Sequence, residues 1–426
     1  MLIKNECSEG EEMDRSILHV DINNCYASIE CRLNPALKGK CVAVSGNVEE
    51  RHGIILAKNE AAKAMGVKTG ETIWQAKLKC PELVTVPPHY DIYLRFSQAA
   101  HKIYDRYTDR IEPFGIDECW LDVTCTRRNI KEVADEIRET VKKELGITVS
   151  VGASFNKIFA KLGSDMKKPD GTTVIGRNDF KEKIWCLPVS DLLYVGRSTA
   201  RKLASKGIKT IGQLAQTPPG SLECWLGKWG IYLYRYANGL DETPVSLQDD
   251  EKVIKSVSNG TTAYRDLEND SDVKVLTFAL AESVASRLRK HGLKAFGVSI
   301  GIRDSKLRFF SRQCKLSVPT SDGVKIAQTA FELYKKSYDW SQSIPIRSIT
   351  VGTYELCDER FAYQLDFYTS PKRIEKRESI NRAVDKIRER YGYSAINRAV
   401  VAADKEFFRF DARLQNEVHP VGFTEN

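Results

Sequence analysis

The chain reads as a multidomain protein of the α+β class, and three observations carry that reading. At 426 residues it is longer than one hydrophobic core serves. Its first 175 residues alternate strand-like and helix-like segments in the β-α-β-β-α-β order of a ferredoxin-like sheet, split by an insert. Further on, a helix, a glycine turn and a second helix precede a polar, acidic stretch broken by Pro244, after which another α+β pattern begins.

The elements follow in order. The apolar run 16–21 predicts a strand, and 27–33 a short helix that ends before Pro35. Residues 41–44 and 54–57 predict short strands and 59–65 a helix closed by Gly66, which together make the small insert. Beyond Pro87-Pro88, the apolar spacing predicts an amphipathic helix at 94–107, a strand at 114–123, a helix at 130–145 and a strand at 148–152. Residues 198–205, Gly207 and 211–214 predict a helix-hairpin-helix. A glycine turn at a helix N-terminus leaves amide donors facing outward, so Gly196, Arg197 and Gly207 are candidate phosphate contacts; an ordinary glycine-capped hairpin fits the same residues. After the linker, helices are predicted at 273–290 and 324–338 and strands at 295–302, 307–313 and 349–354. The outward set there includes Arg303, Lys306, Arg308 and Arg312, which suits a sheet lying along a sugar-phosphate backbone and equally a solvated basic face.

Composition narrows the class. The hydrophobic share of 42% and the charged share of 29% are those of a globular protein without disorder-like bias. No run is long enough to span a bilayer, and the acidic, polar leader lacks the apolar core of a signal peptide, so a cytosolic protein with no membrane association is expected. Eleven cysteines show no C-x-x-C pair and no clustered histidines, which predicts buried free thiols rather than disulfides or zinc. Segment 254–357 holds 16 Lys and Arg against 10 Asp and Glu and so carries most of the net charge of +8, which points weakly to a polyanion partner.

Two acidic patches stand out. Asp21 ends the first predicted strand, and Asp117-Glu118 lies in Phe114-Gly115-Ile116-Asp117-Glu118-Cys119-Trp120-Leu121, where the alternation that follows puts the pair inside a strand. A carboxylate buried in a strand costs several kcal/mol unless a cation or hydrogen bonds compensate it. Three such groups converging would hold Mg²⁺, a hard cation that prefers oxygen and leaves positions open for phosphate. Taken singly, a strand-end Asp is otherwise a turn former or helix cap, and an Asp-Glu pair solvated surface.

Asp21-Ile22-Asn23-Asn24-Cys25-Tyr26-Ala27-Ser28-Ile29-Glu30, then Ile116-Asp117-Glu118, then Lys161 through Asp165-Met166-Lys167-Lys168-Pro169-Asp170-Gly171 resemble, in order and spacing, the Y-family translesion DNA polymerases of the bacterial DNA polymerase IV type. The likeness covers most of the chain. After a leader at 1–15, it implies a ferredoxin-like palm at 16–40 and 88–175, small fingers at 41–87 and a helix-hairpin-helix thumb at 176–243. A linker at 244–253, an α+β little finger at 254–357 and a C-terminal tail at 358–426 complete it. The resemblance implies two-metal-ion nucleotidyl transfer, with two Mg²⁺, for which Mn²⁺ can substitute, held by the catalytic residues Asp21, Asp117 and Glu118 and the carbonyl of Ile22.

Asn24, Cys25, Tyr26, Asn59, Lys63 and Lys168 match nucleotide-binding positions. Tyr26 falls on the steric gate, where a ring under the sugar would collide with a 2′-hydroxyl, and Lys63 and Lys168 fall where cations contact the triphosphate. Asp122 matches a structural acid beside the site. The chain departs from the common pattern at Cys25, often an aromatic, at Asn23 and Asn24, often acidic or aromatic, at Glu60, often a triphosphate-contacting Tyr, and at Lys63, often Arg. In the tail, Gln364-Leu365-Asp366-Phe367-Tyr368 resembles the peptide that docks bacterial polymerases on the sliding clamp.

The implied protein is a monomer of the bacterial cytosol and nucleoid, acting on primer-template DNA and deoxynucleoside triphosphates with low fidelity, because small fingers cannot close tightly on the nascent pair. Two other readings compete. A non-catalytic DNA-binding repair scaffold would leave the three acids dispensable, and a nucleotide cyclase or metal nuclease on a similar palm leaves the hairpin, linker and basic module unexplained.

Overall fold

The computed structural model describes residues 14–46, 53–247, 253–342, 344–364 and 370–402. The chain forms two compact units that divide within the acidic linker. In the first, β1 (Ile17–Ile22) leads into α1 (Cys25–Leu33). The insert follows as β2 (Val42–Ser45), β3 (Ile55–Lys58), α2 (Glu60–Ala64), α3 (Ile73–Lys79) and β4 (Val84–Val86), with its own sheet in the order β3-β2-β4. The chain then returns through α4 (Tyr90–Tyr104), β5 (Ile111–Pro113), β6 (Glu118–Asp122), α5 (Ile130–Leu145), β7 (Val149–Ser154), α6 (Lys157–Met166) and β8 (Thr172–Ile175).

The main sheet runs β5-β6-β1-β7-β8, with β1 antiparallel to both β6 and β7. This is the expected ferredoxin-like arrangement, to which α6 adds β8 in parallel beside β7. Strand alternation divides the layers. Leu18, Val20, Cys119 and Leu121 pack with Tyr93 and Ile103 of α4 and Val133 and Ile137 of α5, each such side chain contributing about 1.5–3 kcal/mol by leaving water. Ile17 and Trp120, on the opposite parity, pack with Ala160 of α6.

Helix α6 sits directly on β7. A Cβ on Gly152 would stand 1.9 Å from the Ala160 carbonyl oxygen and 2.4 Å from the Ser164 nitrogen, and one on Gly163 would stand 3.2 Å from the Gly152 Cα. Both obstacles at Gly152 are backbone, so the helix must lift if a side chain is added. Gly152→Ala is expected to cost about 3 kcal/mol, the upper end for overpacking, read as a lower urea midpoint at unchanged slope.

The helical remainder of the first unit is α7 (Phe180–Ile184), α8 (Arg197–Ala204), α9 (Ile211–Gln216), α10 (Pro219–Leu226) and α11 (Lys228–Ala237), packed around Ile184, Leu203, Leu214, Leu222 and Leu233. Thr210 starts α9 with a reciprocal capping box to Gln213.

The second unit contains β9 (Ser256–Leu267), α12 (Asp270–Lys290), β10 (Leu293–Asp304), β11 (Phe309–Thr320), α13 (Gly323–Ser337) and β12 (Ile346–Asp358), followed by α14 (Pro371–Tyr391) and α15 (Ala399–Ala402). Its antiparallel sheet runs β11-β10-β12-β9. Helix α14 belongs to this unit. Glu282 of α12 is buried and accepts from Arg388 of α14 at 3.1 Å and Arg398 at 2.5 Å, while Arg289 grips Asp385 through two bonds of 2.6 and 2.8 Å.

Several expectations are corrected. The acidic pair does not lie together inside a strand: of the predicted 114–123 only β6, 118–122, is strand, and the turn that joins it to β5 contains Gly115 at a φ of 119°, so Asp117 sits in that turn and Glu118 opens β6. Helix α4 begins at Tyr90 instead of 94. Among the described residues no cysteine is in a disulfide, but Cys125, Cys186 and Cys224 are exposed, so burial holds only for Cys25, Cys80 and Cys119. Among the described residues no helix is long and apolar enough to cross a membrane.

Candidate active site

Asp21 of β1 and Glu118 of β6 are register partners on adjacent strands. Asp117 is tied to the same point, because the Ile22 N–H donates to its carbonyl at 2.9 Å. The three acids feel one another. Burial first, then Glu118, raises the Asp21 carboxyl above its ordinary value; burial, Glu118 and Asp21, in that order, push Asp117 up to about 6.

Helix α6 and the loop after it bring the countercharges. Lys161 Nζ lies 2.9 Å from Glu118 Oε2 and 3.3 Å from both Asp21 Oδ2 and Asp165 Oδ2. Lys168 Nζ lies 2.7 Å from Asp21 Oδ2 and 2.8 Å from Asp165 Oδ1. Burial opposes the charge on Lys161, yet Glu118, Asp21 and Asp165 outweigh it and raise its pKa. Behind them, Ser164 donates to the Lys161 carbonyl at 2.7 Å and so accepts from His19 Nδ1 at 2.9 Å. His19 Nε2 then faces Glu118 Oε2 at 3.4 Å, and neither atom has a hydrogen bond of good geometry.

Among the described residues no three His, Cys, Asp or Glu side chains form a ready-made metal cluster; the two ammonium groups engage the acid oxygens instead. The donor chemistry nevertheless fits a hard divalent cation. Its acids offer only oxygen, Glu118 Oε2 has the Lys161 ammonium at 2.9 Å but no hydrogen bond of good geometry, and two carboxyls are raised by burial and mutual repulsion, which added positive charge relieves.

The nucleotide-side residues gather at the β1-α1 junction. Tyr26 stacks on Tyr93 with centroids 4.4 Å apart and planes 11° apart, and meets Tyr90 edge-on. Tyr93 is itself fixed, donating to buried Glu30 at 2.5 Å, whose other partner is His89. Cys25 is buried at the start of α1. Glu60, which stands where a triphosphate-contacting Tyr is common, is engaged: it accepts from Asn24 at 2.8 Å and lies 3.5 Å from Lys63. Asn59 caps α2, accepts from Val42 N and donates to the Lys40 carbonyl, so its amide serves the insert. Asn23 donates to Ser150 and accepts from the Asp170 N–H, which pins the loop carrying Lys168 to β1.

Gly196 and Arg197 start α8, whose first-turn amides lack helical acceptors, and Gly207 takes a φ of 83° in the turn beyond it. In the second unit Arg303 of β10 and Arg312 of β11 are exposed over Phe309 and Phe310, whereas Arg308 lies in the connecting turn and pairs with Asp304 at 2.7 Å. Gln364 is exposed; Leu365, Phe367 and Tyr368 lie outside the described residues.

The sequence assigned no role to Lys161, Asp165, Asn23 or His19. The alternating charges at 161, 165 and 168, three and four residues apart, are the one signal that pointed there.

Comparison with known proteins gives a consistent picture. Residues 20–165 match the model of the impB/mucB/samB family, 254–367 that family's C-terminal domain, and 190–241 the DNA polymerase-iota thumb domain. DNA polymerase IV of Acetivibrio thermocellus is 50% identical over 396 residues, covering 92% of this chain and 99% of that protein. DNA polymerase IV 1 of Bacillus subtilis is 38% identical over 397 residues, covering 92% and 94%. A solved Y-family DNA polymerase chimera, Dbh-Dpo4(243-245)-Dbh, superposes with a TM-score of 0.72 over 80% of this chain and 99% of its own, at 24% identity.

Proposed function

Because the chain belongs to the Y-family, or impB/mucB/samB, DNA polymerases of the bacterial DNA polymerase IV type, we propose that it extends DNA primers by template-directed two-metal-ion nucleotidyl transfer and copies past damaged bases with low fidelity. The observation that carries the site assignment is the pairing of Asp21 with Glu118 across adjacent strands, with Asp117 tied to Ile22. Asp21, Asp117, Glu118 and the Ile22 carbonyl would hold the metals. When bound, two Mg²⁺ ions, or Mn²⁺, supply Lewis-acid activation of the primer 3′-hydroxyl and neutralise the triphosphate.

The chain's own groups do the rest. Lys168 and Lys63 oppose the triphosphate charge, with Asn24 and Cys25 lining the same junction. Tyr26, immobilised on Tyr93, lies beneath the sugar. Amides at Gly196 and Arg197, after which Gly207 turns the chain, take backbone phosphates in the first unit, and Arg303, Arg308 and Arg312 do so in the second. The insert has strands of only four, four and three residues, too little surface to enclose a base pair, which favours tolerance of misfit over selection. The enzyme works as a monomer in the bacterial cytosol, with Gln364, Leu365, Phe367 and Tyr368 as its sliding-clamp contact.

The test is a primer-extension assay with Mg²⁺ and with deoxy- or ribonucleotides in separate reactions. Extension with deoxynucleotides that stops on chelation is expected; DNA binding with no extension would restore the scaffold reading. Tyr26→Ala is expected to admit ribonucleotides about 10–100-fold more readily, the scale of one removed steric contact, measured as the ratio of kcat/KM for the two sugars. Affinity for primer-template should fall steeply between 50 and 200 mM salt, by about a thousandfold for six phosphate contacts, in an anisotropy titration.

A further inference from the structure

Asp165 stands apart from the other acids at this centre. Each of the two ammonium groups touches it, Lys161 at 3.3 Å and Lys168 at 2.8 Å, and the other carboxylates that they touch, Asp21 and Glu118, are proposed metal ligands. Asp165 lies in the last turn of α6, where the helix dipole disfavours an anion, and its side chain is half exposed. Neither helix stability nor core packing accounts for an acid there. Its place between the two lysines does: Lys161 stands one turn earlier on the same face of α6, and the loop after the helix brings Lys168 back to the same carboxylate.

We propose that Asp165 is a positioning residue that holds Lys161 and Lys168 in place once metal takes Asp21 and Glu118, keeping Lys168 poised for the triphosphate; the role rests on the polymerase reading above. Before loading, the ammonium groups share the acids. On loading, Asp21 and Glu118 exchange lysine for metal, and Asp165 is the remaining anchor that both lysines already touch. With that anchor neutral, the lysines either stay on Asp21 and Glu118, where they compete with metal, or leave for solvent, where they no longer meet the nucleotide.

The experiment uses the full chain with Asp165→Asn, close in shape but uncharged, and Asp165→Glu, which keeps the charge. Single-nucleotide insertion gives KM and kcat, and Mn²⁺ binding to the protein without DNA or nucleotide is followed by electron spin resonance. Asp165→Asn is expected to raise KM for the correct deoxynucleotide about tenfold with kcat within about twofold, as suits loss of a charge-assisted contact made before the chemical step, and to weaken Mn²⁺ binding several-fold. Asp165→Glu should restore most of both. Unchanged KM and Mn²⁺ affinity, or an equal fall in kcat accompanied by a lower melting point, overturns the assignment. A wild-type protein that binds Mn²⁺ but extends no primer would instead sink the polymerase reading, so the two failures are separable.

Discussion

Asp117→Asn is expected to raise the thermal midpoint of the metal-free protein by about 2–4 °C while removing primer extension by about a thousandfold or more. The two effects share one cause. Asp117 is held up to about 6 by burial and by the charges of Glu118 and Asp21. A carboxyl raised in the fold opposes folding when ionised, so the fold carries that cost in full above about pH 6, and the cost fades as pH falls toward the ordinary carboxylate value of 3.8. The stability gain of the variant follows the same window: present at pH 7 and above, shrinking from pH 6 to pH 4. Asp117 is only partly buried, so a gain near 1 kcal/mol is appropriate. The activity loss is larger because metal-ligand chemistry contributes several kcal/mol to the transition state. Scanning calorimetry with chelator at pH 5 and pH 8, beside extension assays and anisotropy, tests the set. Glu118→Ala should lose extension alike. For both variants DNA affinity stays within a few fold; a variant that still extends removes the metal-site assignment.

Glu282→Ala is expected to cost about 3–5 kcal/mol of stability in the second unit, since it leaves Arg388 buried without its carboxylate. Arg398 is partly exposed and can turn to water, so most of the penalty belongs to Arg388. Replacing Glu282, Arg388 and Arg398 together by apolar residues of similar volume should restore much of the loss, because an ion cluster swapped for packed side chains is often neutral. Urea unfolding followed by intrinsic fluorescence decides it, and an additive triple variant would show that the three groups do not act as one.

What could be read in the sequence follows from how local its causes are. Helix α5 runs Ile130–Leu145 as expected, because its stops are local: Asn129 caps one end and Gly146, at φ 69°, the other. Strand β9 went unread since its inward positions alternate Val257, Asn259, Thr261 and Ala263, half of them polar. Helix α6 went unread as well: seven of its ten residues are buried, and the polar Lys157 and Ser164 are among them, so its buried face is not marked by apolar residues alone. At the site, the acids were visible because carboxylates near apolar strands call for an explanation. Their partners were not, since Lys161 and Lys168 lie 140 and 147 residues from Asp21 and meet it only through the crossover that α6 makes.

That crossover rests on bare backbone at Gly152 and Gly163. Between most layers of a protein, spacing drifts over generations through small exchanges such as Val for Ile, each shifting a helix by a fraction of an ångström. Where Gly152 meets α6, no side chain is interposed to be exchanged. The separation between the ammonium groups on one layer and the acids on the other is therefore inherited as a fixed dimension, and any diversification of substrate has to come from the short insert or from the rotamers of the lysines themselves.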